Sequence, residues 1–311
     1  MPNLPTPLAV VASDIHLSEK APSGRKTDDW FADMAFALLQ LRQAASTMNV
    51  DVVIAGDIFD KWNPSPELIN FAADNLPKCY AVPGQHDLPN HNYNDIHRSG
   101  MGCLMRMGVV RLLEPDIPAK ISFGDGCARL WGVPWGQEIT ALPKSSKYLD
   151  IAVVHAYCWA KGHEYTGAPL EKNYVSYGNQ LAGYAAALFG DNHKGFLTKS
   201  PHGTNILNCG GFMRRTTDEK DYQPCYGVLY TDGSIVRVPL ETRDVWHDEA
   251  VGAQLTLNDA PMDKATEYLR SLITAGGMQC LVDYRKVVHH YLESEKPNTR
   301  VRDLVINAIG G

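Results

Sequence analysis

An α/β fold built on a largely parallel sheet is predicted by two features of the sequence. Short apolar runs alternate with segments of helical spacing, and polar residues stand repeatedly where those runs stop. The chain opens with a βαβαβ succession. PLAVVAS, residues 7–13, reads as a buried strand ending at Ser13, and TDDWFADMAFALLQLRQAASTM follows it as a helix. That helix carries Trp30, Phe31, Met34, Leu38, Leu41, Ala45 and Met48 at helical spacing, with Thr27 or Asp28 as N-cap. DVVIAG is the next strand. In SPELINFAADNL, Ser65 is the N-cap and Pro66 takes the first helical position, where its missing N–H leaves nothing unpaired. CYAVPG then returns as a strand.

After Asp95 a helix is expected through LMRMGVV, followed by strands in ARLWGVPW, DIAVVH and NILNCGG. YGVLYTDGSIVRVPL reads as a hairpin turned by Asp232 and Gly233. Beyond Leu240 the character changes, and MDKATEYLRSLITAGG, DYRKVVHHYLES and TRVRDLVINAIGG read as helices. The expected division is a main domain over 1–240 and a small, mainly helical appendage over 241–311, suited to capping or partner binding.

Composition narrows the function classes. A chain of 311 residues that is 44% hydrophobic can build a sizeable core, which excludes a disordered or fibrous protein. No apolar run approaches the roughly 20 residues of a membrane span, and LAVVA at 8–12 has no basic flank or cleavage pattern, so a cytoplasmic protein without membrane contact is expected. The seven cysteines are scattered without CxxC pairs and read as reduced thiols. A net charge of −6 lacks the broad basic balance of a protein that coats nucleic acid. It leaves a nuclease open, because an acidic cluster that holds cations itself makes the total more negative. Lys144 with Lys147, and Arg214 with Arg215, either meet phosphates or belong to ordinary solvated surface.

Sheets of this kind gather functional groups at the carboxyl ends of their strands. Here Asp14 and His16 follow LAVVAS, Asp57 and Asp60 follow VVIA, and Gln85, His86 and Asp87 follow YAV. His155 ends IAVV, while Asp191 and His193 follow AAALFG. Five such tips, mixing carboxylates with imidazoles, suit Mn²⁺, Fe²⁺ or Zn²⁺. Two ions about 3.5–4 Å apart need about seven protein ligands, one of them bridging, and the tips supply that many. The D-x-H spacing has a reason in extended chain, where residues i and i+2 project to the same side. Gly56, Gly84 and Gly190 precede polar tips and would let the backbone come close to a metal or phosphate. NDIHRS repeats the D-x-H spacing at Asp95 and His97 but lies in a polar segment entering a helix, and reads as coincidence.

In order, SDIHLS, GDIFD, PGQHD, the lone His155 and GDNHKGF resemble the calcineurin-like metallophosphoesterases, whose pattern runs D-x-H, G-D-x-x-D, G-N-H-D/E, a lone His, then G-H-x-H. SDIHLS, GDIFD and NCGGFMRR are most similar to the nuclease subunit of the bacterial SbcCD complex and related bacteriophage recombination nucleases. The resemblance spans about residues 8–240. It implies a two-sheet β-sandwich core flanked by helices, with Asp14, His16 and His193 on a first metal and Asp57 bridging. His155, Gln85 and Asp191 would hold the second ion. His86 would face the scissile phosphate, with Asp87 as its orienting partner.

Gln85 stands where the family has Asn, and Asp191 where it has the first His of G-H-x-H. Both departures fall on the second metal, where a longer amide and a shorter carboxylate would compensate one another. The extra carboxylate favours Mn²⁺ or Mg²⁺ over Zn²⁺. The resemblance implies a metal-dependent DNA exonuclease or endonuclease of recombination or repair, with Mn²⁺ as the foremost ion, DNA as substrate, and an SMC-like ATPase or a second copy of the chain as possible partners. The alternatives are a small-molecule phosphodiesterase or phosphatase, and a catalytically weak subunit that binds DNA ends.

Overall fold

A computed structural model describes residues 4–22, 25–142, 147–216 and 219–246. The expected appendage, apart from its first six residues, lies outside the described residues. The strands are β1 (Pro7–Ala12), β2 (Arg25–Lys26), β3 (Asp51–Ala55), β4 (Cys79–Val82), β5 (Val110–Leu112), β6 (Ala119–Phe123) and β7 (Gly126–Val133). They continue as β8 (Leu149–His155), β9 (Ala186–Gly190), β10 (Phe196–Lys199), β11 (Asn205–Asn208), β12 (Cys225–Tyr230), β13 (Ile235–Pro239) and β14 (Val245–Trp246). The α-helices are α1 (Trp30–Met48), α2 (Pro66–Asn75) and α3 (Gly100–Arg106).

Two six-stranded sheets pack face to face, in the orders β13-β12-β1-β3-β4-β5 and β10-β11-β9-β8-β7-β6. Each has a parallel heart of four strands: β1, β3, β4 and β5 in one, β7, β8, β9 and β11 in the other. Antiparallel strands flank both hearts. The parallel sheet read from the alternation is thus two, joined as the two-sheet sandwich that the resemblance implies. Alternation along β1 explains how: Ala9 and Val11 join the core between the sheets, while Val10 and Ala12 join the helix-covered core outside. Because both faces are buried, the strand reads as an uninterrupted apolar run.

Met34, Leu38 and Leu41 of α1 are fully buried against the first sheet, each contributing ~1.5–3 kcal/mol by leaving water. The N-cap is Asp29, one residue later than the sequence suggests, because Thr27 Oγ1 accepts the Asp29 N–H and leaves the Asp29 carboxylate to accept Ala32 N–H at 3.0 Å. Ser65 caps α2 as expected. The helix expected through LMRMGVV stops at Arg106, since Gly108 takes φ 74° and turns the chain, and Val110 already belongs to β5. The β12–β13 hairpin forms, with Leu229 opposite Ile235 and Gly233 at φ 80°. Past Leu240, Glu241 exchanges two hydrogen bonds with Gln40, and β14 pairs with β2. Among the described residues, no helix is long and apolar enough to cross a membrane.

Candidate metal centre

The carboxyl ends of β1, β3 and β4 in one sheet and of β8 and β9 in the other meet at one edge of the sandwich. The loops leaving β1 and β3 are zippered. Asp14 N–H donates to Gly56 O at 3.1 Å, His16 N–H to Asp57 O at 2.9 Å, and Leu17 N–H to Ile58 O at 2.9 Å. This pairing holds Asp14, His16 and Asp57 at φ 51°, 50° and 53°, and Asp191 takes φ 80°. The D-x-H residues are therefore left-handed, not extended as expected, with the intervening Ile15 fully buried beneath them. Left-handed backbone costs a residue with a Cβ of order 1–3 kcal/mol, and such strain gathers at sites that the surrounding fold over-determines.

Three groups have ligand atoms within 4.8 Å of one another: Asp14, His16 and His193; His16, Asp57 and His86; and Asp14, Asp57 and His155. His16 Nε2 lies 3.2 Å from His193 Nε2. Two ligand atoms each about 2.1 Å from one cation lie about 3.0–3.4 Å apart, so this separation fits a shared ion. Asp57 Oδ1 accepts the His86 N–H at 3.0 Å, and its Oδ2 lies 3.7 Å from His16 Nε2 and 3.3 Å from His155 Nε2. That oxygen and Asp14 Oδ2 are buried without a hydrogen-bond partner. Buried carboxylate oxygens do not stay unpaired without cost, and a cation between them removes it.

His155 makes the same point. Its Nδ1 lies 2.7 Å from Ala55 O and so carries a hydrogen, which leaves Nε2 facing Gln85 Oε1 at 2.9 Å and Asp57 Oδ2 at 3.3 Å. A lone pair aimed at two oxygens needs either a second proton or a cation. Without metal the proton serves: burial opposes the charge, but Asp57, with Asp14 and Asp191, outweighs it and the imidazole is pushed up to about 10. Burial likewise pushes the Asp14 carboxyl up to about 6, against the pull of His155 and His193. Burial would also raise Asp57, yet His155, His16 and His86 hold it well below the usual carboxylate range. His16, by contrast, is driven by burial well below the ordinary imidazole value.

Glycine makes the room around His155. A Cβ at Gly56 (φ 87°) would stand 2.0 Å from its Nδ1, one at Gly84 2.6 Å from its Nε2, and one at Gly190 2.7 Å from its Nδ1. The Cβ at Gly84 would also stand 2.0 Å from Asp57 Oδ1 and that at Gly190 2.1 Å from Ala55 O, so the three glycines admit the ring together with the groups around it.

The structure brings Asp14, His16, Asp57, His86, His155 and His193 into the close groups. Gln85 and Asp191 reach the centre by another route: Gln85 Nε2 donates to Asp191 Oδ1 at 2.8 Å while Gln85 Oε1 faces His155. Asp191 N–H donates to Asp14 Oδ1 at 3.0 Å. Asp87 does not orient His86. Its carboxylate is fully buried and accepts backbone N–H groups from Gly84, Ile58 and Phe59, tying two site loops together, and the His86 Nδ1 instead meets Asp60 O at 2.8 Å. Asp95 and His97 sit on the exposed turn Tyr93–Arg98, with the His97 Nδ1 near Asn94 O, and join none of the groups.

Sequence reasoning missed Glu219, whose Oε1 lies 3.5 Å from His193 Nδ1. Burial opposes a proton on His193, and the Glu219 contact is the largest influence that favours it. It also missed Asn192, fully buried, whose side chain donates to Cys158 O and His163 O and anchors the loop that carries His193. Asn192 stands inside GDNHKGF and so was in view, whereas nothing local marks Glu219. NCGG has a local reason: a Cβ at Gly210 would stand 2.7 Å from His193 O, and Gly211 N–H donates to that oxygen.

The calcineurin-like phosphoesterase family model matches residues 8–195. No curated protein sequence matches the chain. Among solved structures, it is similar to the sulfate thiohydrolase SoxB of Thermus thermophilus, bound to glycerol, at 11% identity and a TM-score of 0.44, over 82% of this chain and 60% of that one. The chain therefore spans less than two thirds of that protein. A metallophosphoesterase of Sphaerobacter thermophilus is 13% identical, with a TM-score of 0.36, over 76% of this chain and 89% of that one. The matched span runs from the first residues of β1 to just past His193 and includes every strand end that contributes a ligand; the chain belongs to the calcineurin-like phosphoesterases, a family of metal-dependent phosphoester hydrolases.

Proposed function

We propose that the protein is a divalent-metal-dependent phosphodiesterase acting on DNA, an exonuclease or endonuclease with two ions and Mn²⁺ foremost. The observation that carries the hydrolytic part is the position of Asp57 Oδ2, unpaired and buried between the imidazoles of His16 and His155. One oxygen so placed serves both halves of the centre, with Asp14, His16 and His193 on one side and His155, Gln85 and Asp191 on the other. When bound, the ions supply positive charge and Lewis acidity toward a phosphoryl group and an attacking water. The mixed nitrogen and oxygen donors, with three carboxylates, suit Mn²⁺.

The chain's own residues prepare the rest. His86 Nδ1–H donates to Asp60 O, which leaves Nε2 as the atom that exchanges a proton with the departing oxygen. Asp57 Oδ1 accepts the His86 N–H and holds the start of that loop beside the centre. Support for DNA comes from SDIHLS, GDIFD and NCGGFMRR, the stretches most similar to recombination nucleases.

A labelled DNA duplex and bis(p-nitrophenyl) phosphate, each with Mn²⁺ and with chelator, test the reading together. Mn²⁺-dependent cleavage of both is expected. Cleavage of the small ester alone would overturn DNA as substrate, and absence of both with metal bound would overturn hydrolysis.

A further inference from the structure

Two arginines adjoin in NCGGFMRR, and the structure sends them to different tasks. Arg214 is bound into the fold: its Nε donates to Tyr222 O and its Nη1 to Asp244 Oδ2 at 2.9 Å, on the segment that leads into β14. Arg215 turns to the metal centre. Its Nη2 donates to the Asp60 carboxylate, its side chain is about a quarter exposed, and its backbone N–H donates to Glu219 Oε2 at 2.6 Å.

Asp60 and Glu219 are themselves attached to the centre. Asp60 O meets His86 Nδ1 at 2.8 Å, Asp60 Oδ1 lies 3.9 Å from His16 Nδ1, and Glu219 Oε1 lies 3.5 Å from His193 Nδ1. Arg215 is thereby one residue removed from His86 on one side and from His193 on the other. The other side chains named at the centre are carboxylates, imidazoles and amides, so this guanidinium is their fixed positive partner. A guanidinium presents paired N–H groups that match two oxygens of one phosphate, which an ammonium cannot do.

We propose that Arg215 is a substrate-binding residue that grips nonbridging oxygens of the phosphoryl group facing His86, with Asp60 holding the guanidinium in place until the phosphate arrives. The proposal rests on the phosphoester reading above but not on DNA. It makes Asp60 a positioning residue with two outputs, its carbonyl setting the His86 ring and its carboxylate setting Arg215.

The test compares the metal-loaded protein with Arg215→Gln and Arg215→Lys, using inorganic phosphate as the probe. Dissociation of phosphate is read by calorimetry, its competitive inhibition against bis(p-nitrophenyl) phosphate is read kinetically, and metal content is read by elemental analysis. Arg215→Gln is expected to weaken phosphate about tenfold or more and to raise KM by a similar factor with metal content unchanged, because a charged hydrogen bond is lost. Arg215→Lys recovers part of the loss by keeping the charge without the fork. Unchanged phosphate affinity in Arg215→Gln, or a loss of bound metal that accounts for the weakening, overturns the proposal. If Arg215→Gln does not fold, Arg215→Lys alone decides: phosphate affinity equal to that of the parent overturns it. A parent that binds phosphate but hydrolyses neither ester defeats the hydrolytic reading while leaving the affinity comparison intact.

Discussion

The two halves of the centre are built by different means. Around Asp14, His16 and His193, ligand atoms face one another directly, and Asp14 and His16 are placed by backbone that the zippered loops hold in the left-handed region. Around His155 a chain of hydrogen bonds does the placing, from Ala55 O through the imidazole to Gln85 and on to Asp191. The first half tolerates little at Asp14 and His16, because their places depend on their own main chain. The second can exchange a long side chain for a short one provided that the relay closes. That is how Gln85 and Asp191 coexist: the extra methylene of the amide lets one end reach the carboxylate while the other meets His155.

Asp57 is common to both halves, and breaking it has the largest expected effect. Asp57→Asn replaces a shared anionic oxygen with an amide, so both ions are lost by elemental analysis and hydrolysis falls below detection. Retention of one tightly held ion would show that the halves are independent. His86 lies beside both halves, and His86→Ala is expected to lower kcat about 10²–10⁴-fold with metal content unchanged. Asp191→Ala opens the relay without touching the first half, and is expected to weaken only the more loosely bound ion, by about 10–100-fold in a competition titration. Equal weakening of both ions would erase the distinction between them.

The smallest effect is one of pH on the metal-free protein. His155 is raised from its ordinary value to about 10, so the stability it contributes is complete below about 6.5 and is lost as the pH climbs through about 10. A divalent ion requires the neutral ring, and removes the His155 contribution to this slope. Thermal melts of metal-free and Mn²⁺-loaded protein across that window should differ in slope. Parallel curves would exclude a protonated His155 in the metal-free state.

The ligands were legible in the sequence because each stands at the end of an apolar run, and an apolar run is what a strand buried on both faces leaves behind. The second sheet was less legible. Its edge strands β6 and β10 run only over Ala119–Phe123 and Phe196–Lys199, too short to mark a period of two. Asp87 misled because adjacency to His86 suggested a side-chain partnership, whereas the 3₁₀ turn Gln85–Asp87 aims its carboxylate at backbone N–H groups. The true partner of the His86 ring is a main-chain carbonyl, which no residue type announces. Arg215 was visible only as half of a basic pair, and the separation of its task from that of Arg214 depends on which way each side chain leaves the loop.

The position of β1 within its sheet governs how the protein is made. It pairs with β3, which follows closely, and with β12, where Val10 faces Val228. Until the ribosome has released the β12 segment, the first sheet carries an apolar strand with one open edge. Contacts between such distant parts of a chain form slowly, and open edges recruit other chains while they wait. Refolding yield is therefore expected to fall with protein concentration, and a chain ending before Cys225 should be recovered as aggregate even though it holds every ligand of the centre.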